Sequence, residues 1–505
     1  MPSSIKISPV LCAALGAACA FYGIFPLYLT DLINIDVMLV LAFIPVAVLC
    51  LFRVLAAYPL IANDQHRAVR LIRLMPVWAT AFSAGLALGI GAGVKAVPVI
   101  SFGIPSHTVT GISGTLLDDP RLVSSGRAMS TLSLRMSMGS GGVRATANGE
   151  ITVFFQEEST ERLREFGRGA EVFIEGILRP GSIDGEYTFS ADALHITQPA
   201  PPLERFRTGL RLALTRRFAG SDESAWGGLS LALLLGIRDN LDTGLAGLYR
   251  NAGCSYVLAL SGMHLAVLVA AVSFLLKKPL GLRPAAIAGA CIIVAYCFIV
   301  GPLPSLTRAA LMYLLGVFAV LGMLRRDPLL LLSMAFLIQL TVTPQAGFSI
   351  SFILSYLALA GIVVIGAMLV NIFRGLVPHV LLQPVSASLG AFIATAVVIT
   401  LLFNDLRPAG IIAGLVVIPL TTVFMVGSMI WLGLDLIRPF LSSLVATPLS
   451  LLYRLMEQTV YLAGFIPGIS ANPFLVLALS LLAVALLVWL DCRRRRAAGH
   501  LEPFA

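Results

Sequence analysis

Two hydrophobic periods divide this chain. Long runs with almost no charge recur, clearest at Pro9 to Leu29, Val37 to Leu51, Val77 to Val94, Ala285 to Val300, Gly410 to Leu432 and Pro473 to Leu490. Runs of about 15 to 24 residues reach, or nearly reach, across a hydrocarbon core of roughly 30 Å. From Leu229 to Leu490 apolar segments follow one another with short connectors, which predicts roughly eight to ten crossings or half-crossings. Between residues 100 and 200 the period falls to two. Thr108 to Leu116, Ser130 to Ser137, Val143 to Asn148, Ile151 to Gln156, Glu171 to Leu178 and Tyr187 to Thr197 read as short strands. Met138 to Gly142 and Asn148-Gly149 punctuate them as turns, and Ser159 to Phe166 reads as a helix between the fourth and fifth strands. Five or six strands with a helix late in the order predict a small closed barrel of the oligonucleotide-binding (OB) type. The fold class is therefore a polytopic α-helical membrane protein with an inserted OB-fold-like β-barrel.

Composition agrees with the pattern. Hydrophobic residues make up 58% of the 505 positions and charged residues 12%, against about 25% charged in a soluble globular protein. The first apolar segment lacks a clear small-residue cleavage site and reads as a retained helix. None of the seven cysteines has metal-ligand spacing, and none falls in the barrel. No metal and no cofactor is expected.

The net charge of +9 lies largely beside membrane segments, where it sets topology and requires no nucleic-acid partner. The loop Arg53 to Arg73, with Arg53, Arg67, Arg70 and Arg73, and the run Arg493 to Arg496 mark cytoplasmic ends. The N- and C-termini are then cytoplasmic and residues 100–200 extracytoplasmic. The barrel itself holds eight arginines, no lysine and twelve acids, a balance of −4. Single-strand binding without sequence preference uses a positive groove with aromatic platforms. Phe154, Phe155, Phe173, Tyr187 and Phe189 are the available rings, and core packing is their first use. Glu204 to Phe218, with Arg205, Arg207, Arg211, Arg216 and Arg217 among apolar residues, reads as an amphipathic helix on a membrane surface. The domain plan is residues 1–99 (about three transmembrane helices), 100–200 (barrel), 201–226 (interfacial helix), 227–491 (second transmembrane domain) and 492–505 (basic tail).

Polar residues inside apolar runs are expensive and mark pathways. Tyr249 to Leu268, YRNAGCSYVLALSGMHLAVL, carries Asn251, Ser255, Ser261, Gly262 and His264. At about 100° per residue no single helix face holds all five. The helix either breaks near Ser261-Gly262 or is wet or packed on two sides. Arg238 and Asp239 follow the short apolar helix in LLLGIRDNL. In GPLPSLTRAALMYLL, Pro302 and Pro304 break one helix, Ser305 and Thr307 can cap the next, and Arg308 falls in its first turn. A cation there opposes the helix dipole, so an acid, a carbonyl or a phosphate must offset it. Ser349, Ser351 and Ser355 lie in FSISFILSYLALAG, where hydroxyls also serve helix packing. Enzyme signatures are poor: no acid stands in place to orient His264 for Ser261, and no HExxH spacing occurs. The expectation is no intrinsic catalysis.

ALLLGIRDNL, NAGCSYVLALSGMHLAVL, LPSLTRAALM, FSISFILSYLALAGI and AGIIAGLVVIPL, in that order, resemble the ComEC family of competence proteins. The resemblance runs over most of the chain, and leading spans followed by an OB barrel fit it. It departs at Ser349, where family members often carry Gln. The chain stops nine residues after Arg496, so the metallo-β-lactamase-like domain of many members is expected to be absent. The resemblance implies an inner-membrane channel that passes single-stranded DNA during natural transformation. It implies channel roles for Arg238, Asp239, Ser261, Gly262, His264, Ser305, Arg308 and Ser351, with Asn251 and Ser255 added from the residue pattern. It also implies an outer DNA receptor, a separate nuclease, a cytoplasmic helicase-like motor and the lipid bilayer as partners, and leaves a homo-oligomer open. A transporter of another solute, such as a lipid-linked or glycan precursor, and a non-conducting scaffold that displays the barrel are the alternatives.

Overall fold

The computed structural model describes residues 8–24, 65–96, 100–123, 127–156, 167–181, 187–219, 225–260, 262–324 and 326–497. The expected span Val37 to Leu51, the expected helix Ser159 to Phe166 and Ser261 lie outside them. The described chain forms two compact units: one from residues 97–242 and 295–302, the other from the remainder.

The first unit is built on a barrel. Its strands are β1 (Val109–Leu116), β2 (Arg121–Leu122), β3 (Ala128–Gly139), β4 (Arg144–Thr146), β5 (Glu150–Phe155), β6 (Glu171–Pro180) and β7 (Tyr187–Gln198). Hydrogen bonding runs β1-β6-β7-β5-β3, and β3 pairs back onto β1, so five strands close on themselves. Only β5 and β7 run parallel. The twelve-residue β3 makes closure possible: Ala128 to Ser133 pair with β5, while Leu132 to Gly139 pair with β1. Such a strand must bend, and the bends fall at bulges. One lies between Ser113 and Gly114, and another between Glu175 and Gly176. A Cβ at either glycine would overlap the carbonyl of the facing strand.

Inward positions fill the barrel with Ile112, Leu116, Leu132, Ile151, Val153, Val172 and Ile174. Of the five rings, Phe155 and Phe189 are in this core and Phe154 and Phe173 are half-buried. Tyr187 meets Phe102 edge-on at 5.2 Å. This is the expected OB-like barrel, with the third strand shorter than the alternation predicted because Gly141 and Gly142 take positive φ before it.

The same unit holds α3 (Pro202–Ala219), α4 (Ala225–Leu235) and the last turn of a helix introduced below. α4 is uncharged and almost wholly buried.

The second unit is helical. α1 (Pro9–Cys19) opens on Ser8, whose hydroxyl accepts from Leu11 N at 3.1 Å. α2 (Gln65–Ala96) lies so close to α1 that a Cβ on Gly16, Gly85 or Gly89 would overlap the opposite backbone. Such small-residue contacts are how helices associate without water to drive them together. α2 starts at Gln65, so Arg67, Arg70 and Arg73 belong to a helix and not to a loop as the charge pattern implied. Strong helix formers and the lack of glycine or proline from 65 to 75 explain the extension.

The remaining helices are α5 (Thr243–Asn251), α6 (Ser255–Leu258), α7 (Gly262–Leu280), α8 (Leu282–Val300), α9 (Pro304–Leu321), α10 (Pro328–Val342), α11 (Ile350–Gly361), α12 (Ala367–Phe373), α13 (His379–Phe403), α14 (Ala409–Ile437), α15 (Pro439–Ala463) and α16 (Pro473–Ala497). α11 and α12 are joined by a π-turn, Ile362–Gly366. Among the described residues seven helices are long and apolar enough to cross a membrane, six of them after residue 280. Shorter apolar helices lie at Trp226–Leu235, Gly262–Ala271 and Pro328–Val342. The protein is a multi-pass membrane protein with an inserted barrel.

Candidate functional site

The segment Tyr249 to Leu268 is not one helix. α5 ends at Asn251, Gly253 turns with φ +70°, α6 lasts a single turn, and α7 begins at Gly262. The first break is built by a close approach: a Cβ on Gly410, at the start of α14, would overlap the Gly253 carbonyl. Arg407 completes it. Its Nη1 donates to the Asn251 carbonyl at 2.5 Å, and its Nε donates to Asp405 Oδ2 at 2.7 Å. The guanidinium thus satisfies a carbonyl at the C-terminal end of α5, where a cation is favoured. Asn251 contributes its backbone here, and Ser255 is an exposed first residue of α6. The breaks place Asn251, Ser255 and Gly262 on three successive helices, so no single helix face carries them.

The second break sets His264 in the first turn of α7, where it is buried. Gly262 opens the helix against α9. A Cβ there would sit 3.3 Å from Arg308 Nη2 and 3.2 Å from Ala309 Cβ, so the missing side chain makes room for the guanidinium.

α9 begins differently from its sequence forecast. Leu303 is the N-cap residue and offers no side-chain oxygen. Ser305 is already inside the helix, and Thr307 Oγ1 bonds back to the Leu303 carbonyl at 3.0 Å. Pro304 at the first helical position is pre-set for a helix start and explains the shift. Ser305 is thereby freed to meet Ser351 across α11, hydroxyl to hydroxyl at 2.8 Å. α11 is capped by Ser349, whose Oγ accepts from Phe352 N at 3.2 Å. Ser349 stands where the resemblance favours Gln, and here it acts as a helix cap.

Arg308 lies one turn inside α9 and is 8% exposed. Its Nη1 donates to the Ser355 carbonyl, and its guanidinium carbon lies 5.8 Å from the Tyr356 ring centroid. Two residues not foreseen from the sequence complete the network. Gln339, near the end of α10, donates Nε2 to the Pro304 carbonyl at 3.2 Å and accepts from Tyr356 Oη at 2.9 Å. Phe336 and Phe352 close around Tyr356, with ring centroids at 5.3 and 4.6 Å. A polar chain therefore joins the starts of α9 and α11 to the end of α10, walled by aromatic rings, with Gly262 at the start of α7 beside it.

Arg238 and Asp239 are not part of that cluster. They belong to the barrel unit, where Asp239 Oδ1 accepts from Leu122 N of β2 at 3.3 Å.

A separate ionic knot lies inside the barrel unit. Arg207 of α3 is 1% exposed. Its Nη1 and Nη2 hold Asp119 at 3.0 and 2.6 Å, and its Nε donates to the Phe298 carbonyl at 2.7 Å. Arg211 Nη1 donates to the carbonyls of Ile299 and Val300 at 2.9 and 3.1 Å. Two cations thus sit on the C-terminal end of α8, the favoured end of its dipole. Burial by itself pushes the Asp119 carboxyl up. Arg207, Arg211 and the Arg168 amide outweigh that and hold it below the usual carboxylate range. Burial lowers the Arg211 guanidinium, opposed by Asp119.

Among the described residues no group of three or more His, Cys, Asp or Glu is placed to hold a metal ion. Among curated proteins and among solved structures nothing matches the chain. The sequence model of one family, described as Competence protein, matches residues 233–496, more than half of the chain. That stretch contains every helix of the Gly262–Ser305–Arg308–Ser351 cluster, and the chain belongs to the Competence protein family.

Proposed function

We propose that this protein is the cytoplasmic-membrane channel that passes single-stranded DNA into the cell during natural transformation. The observation that carries this reading is the polar cluster at the starts of α7, α9 and α11, inside the family-matched region and within otherwise apolar helices. Conduction needs contacts strong enough to admit the ligand and weak enough to release it. Hydroxyls, one amide and a single buried arginine meet that need better than a cationic groove, which would trap a polyanion.

Charge placement supports an orientation. With each of α7 to α16 crossing once (α11 and α12 together), Lys277, Lys278, Arg283, Arg326, Arg374, Arg438 and Arg493 to Arg496 gather at one side. The connectors at the other side, 301–303, 343–349, 404–408 and 464–472, carry a single arginine, Arg407, which is paired with Asp405. Positive loops stay in the cytoplasm. The polar cluster then lies toward the outer mouth, the barrel outside, and the C-terminus inside. The driving force comes from partners: a receptor that delivers DNA outside, a nuclease that supplies the single strand, and a helicase-like motor that pulls it inside.

The test is transformation frequency in a strain lacking the protein and complemented with variants. His264→Ala and Arg308→Ala are expected to abolish transformation at unchanged membrane abundance. Normal uptake of labelled DNA by both variants would overturn the channel reading.

A further inference from the structure

Among the described residues two arginines are buried, and they are held in opposite ways. Arg207, which ties α3 to the barrel, is neutralised by Asp119 in a two-pronged pair. Arg308 is buried almost as fully, yet among the described residues no carboxylate pairs with it and its Nε meets no acceptor. A guanidinium taken out of water without an anion is costly. Snorkelling does not relieve it, because the side chain is enclosed by α7, α9 and α11. The environment is also positive in its own right. Contacts from Gly262 to Arg308, from Ser305 to Ser351 and from Arg308 to Ser355 bring three helix N-termini together. Each presents the positive end of its dipole. A cation at the meeting point of three such ends, lacking an acid of its own, is arranged for an anion from outside the fold.

We propose that Arg308 is a phosphodiester-docking point, a role that rests on the channel reading. Before the strand arrives, the guanidinium is held by the Ser355 carbonyl and the Tyr356 ring. A phosphate of the strand displaces the ring from the guanidinium face and accepts from Nε and Nη2. Gly262 leaves the Nη2 side without a side chain, and the paired hydroxyls of Ser305 and Ser351 lie on the same helix ends. Both holding contacts are neutral, so the exchange is reversible and each phosphate passes on. The contact reads backbone charge and carries no base preference.

The experiment uses the full-length protein in lipid nanodiscs and a fluorescent oligo-dT strand, titrated over a salt series. Each phosphate neutralised on a single strand contributes about 0.7 to the slope of log K against log salt. Arg308→Gln is expected to flatten that slope by about 0.7 and to weaken oligo-dT and oligo-dC alike, while Arg308→Lys keeps the slope. An unchanged slope in Arg308→Gln, with the parent binding the strand, overturns this proposal and leaves the channel reading standing. A parent protein that binds no strand overturns both. Should Arg308→Gln not accumulate in folded form, Tyr356→Leu removes the competing ring. It is then expected to tighten binding by about two- to fivefold at unchanged slope, and unchanged or weaker binding overturns the proposal.

Discussion

At the scale of single residues, Gly262 decides more than its motif announced. In the sequence it reads as a residue that permits a break or a close approach, and the structure uses both. It starts α7, and its bare Cα faces Arg308 Nη2. The atoms a Cβ would meet are the end of a flexible arginine and one methyl group, at 3.3 and 3.2 Å. Gly262→Ala is therefore expected to cost under about 1 kcal/mol, and Gly262→Leu about 1–3 kcal/mol by overpacking. Thermal unfolding of the purified variants checks the difference. Arg308 and Ser305 were legible because charge and hydroxyl stand out in an apolar run. Gln339 and Tyr356 were not, since a lone Gln and a Tyr near helix ends carry no spacing signal, and only the packing of α10 on α11 makes them partners.

At the scale of elements, alternation and turn glycines were enough to place five barrel strands to within a few residues. Closure followed from strand number and order, but the pairing that achieves it, β3 with both β1 and β5, was not visible. The arginines of α3 were visible as an amphipathic pattern, but a periodic pattern cannot say what covers each face. Arg207 and Arg211 turn to Asp119 and to the carbonyl end of α8. That arrangement has a pH signature. The folded carboxyl of Asp119 titrates below its unfolded value, so its contribution to stability is complete above about pH 4 and is lost as pH falls through the lower folded value. Asp119→Asn leaves Arg207 buried without its anion and is expected to cost about 3–5 kcal/mol at neutral pH. The same substitution should flatten the acid limb of the stability–pH curve. Circular dichroism melts of the two proteins from pH 7 to pH 3 test this, and parallel curves would exclude Asp119 as the titrating group.

At the scale of the whole molecule, hydropathy made the membrane class plain and charge bias made its orientation arguable. Orientation is a property of the whole chain, because every span inverts the next and one miscounted helix reverses all that follow. The basic connectors after α7, α9, α12 and α14 and the basic end of α16 recur at every second crossing, and Arg407 in the connector after α13 is offset by Asp405. The arrangement yields a prediction independent of DNA. Ser140→Cys, in the turn after β3, and Ser470→Cys, between α15 and α16, should react with a membrane-impermeant maleimide added to intact spheroplasts. Arg326→Cys, between α9 and α10, and Leu376→Cys, between α12 and α13, should react only after the membrane is opened. The native cysteines are replaced by alanine beforehand so that each label reports one site. Labelling of residue 326 from outside would reverse the membrane half of the molecule. It would also move the Arg308 cluster to the inner mouth, where a strand arrives last and a docking arginine would act on release in place of entry.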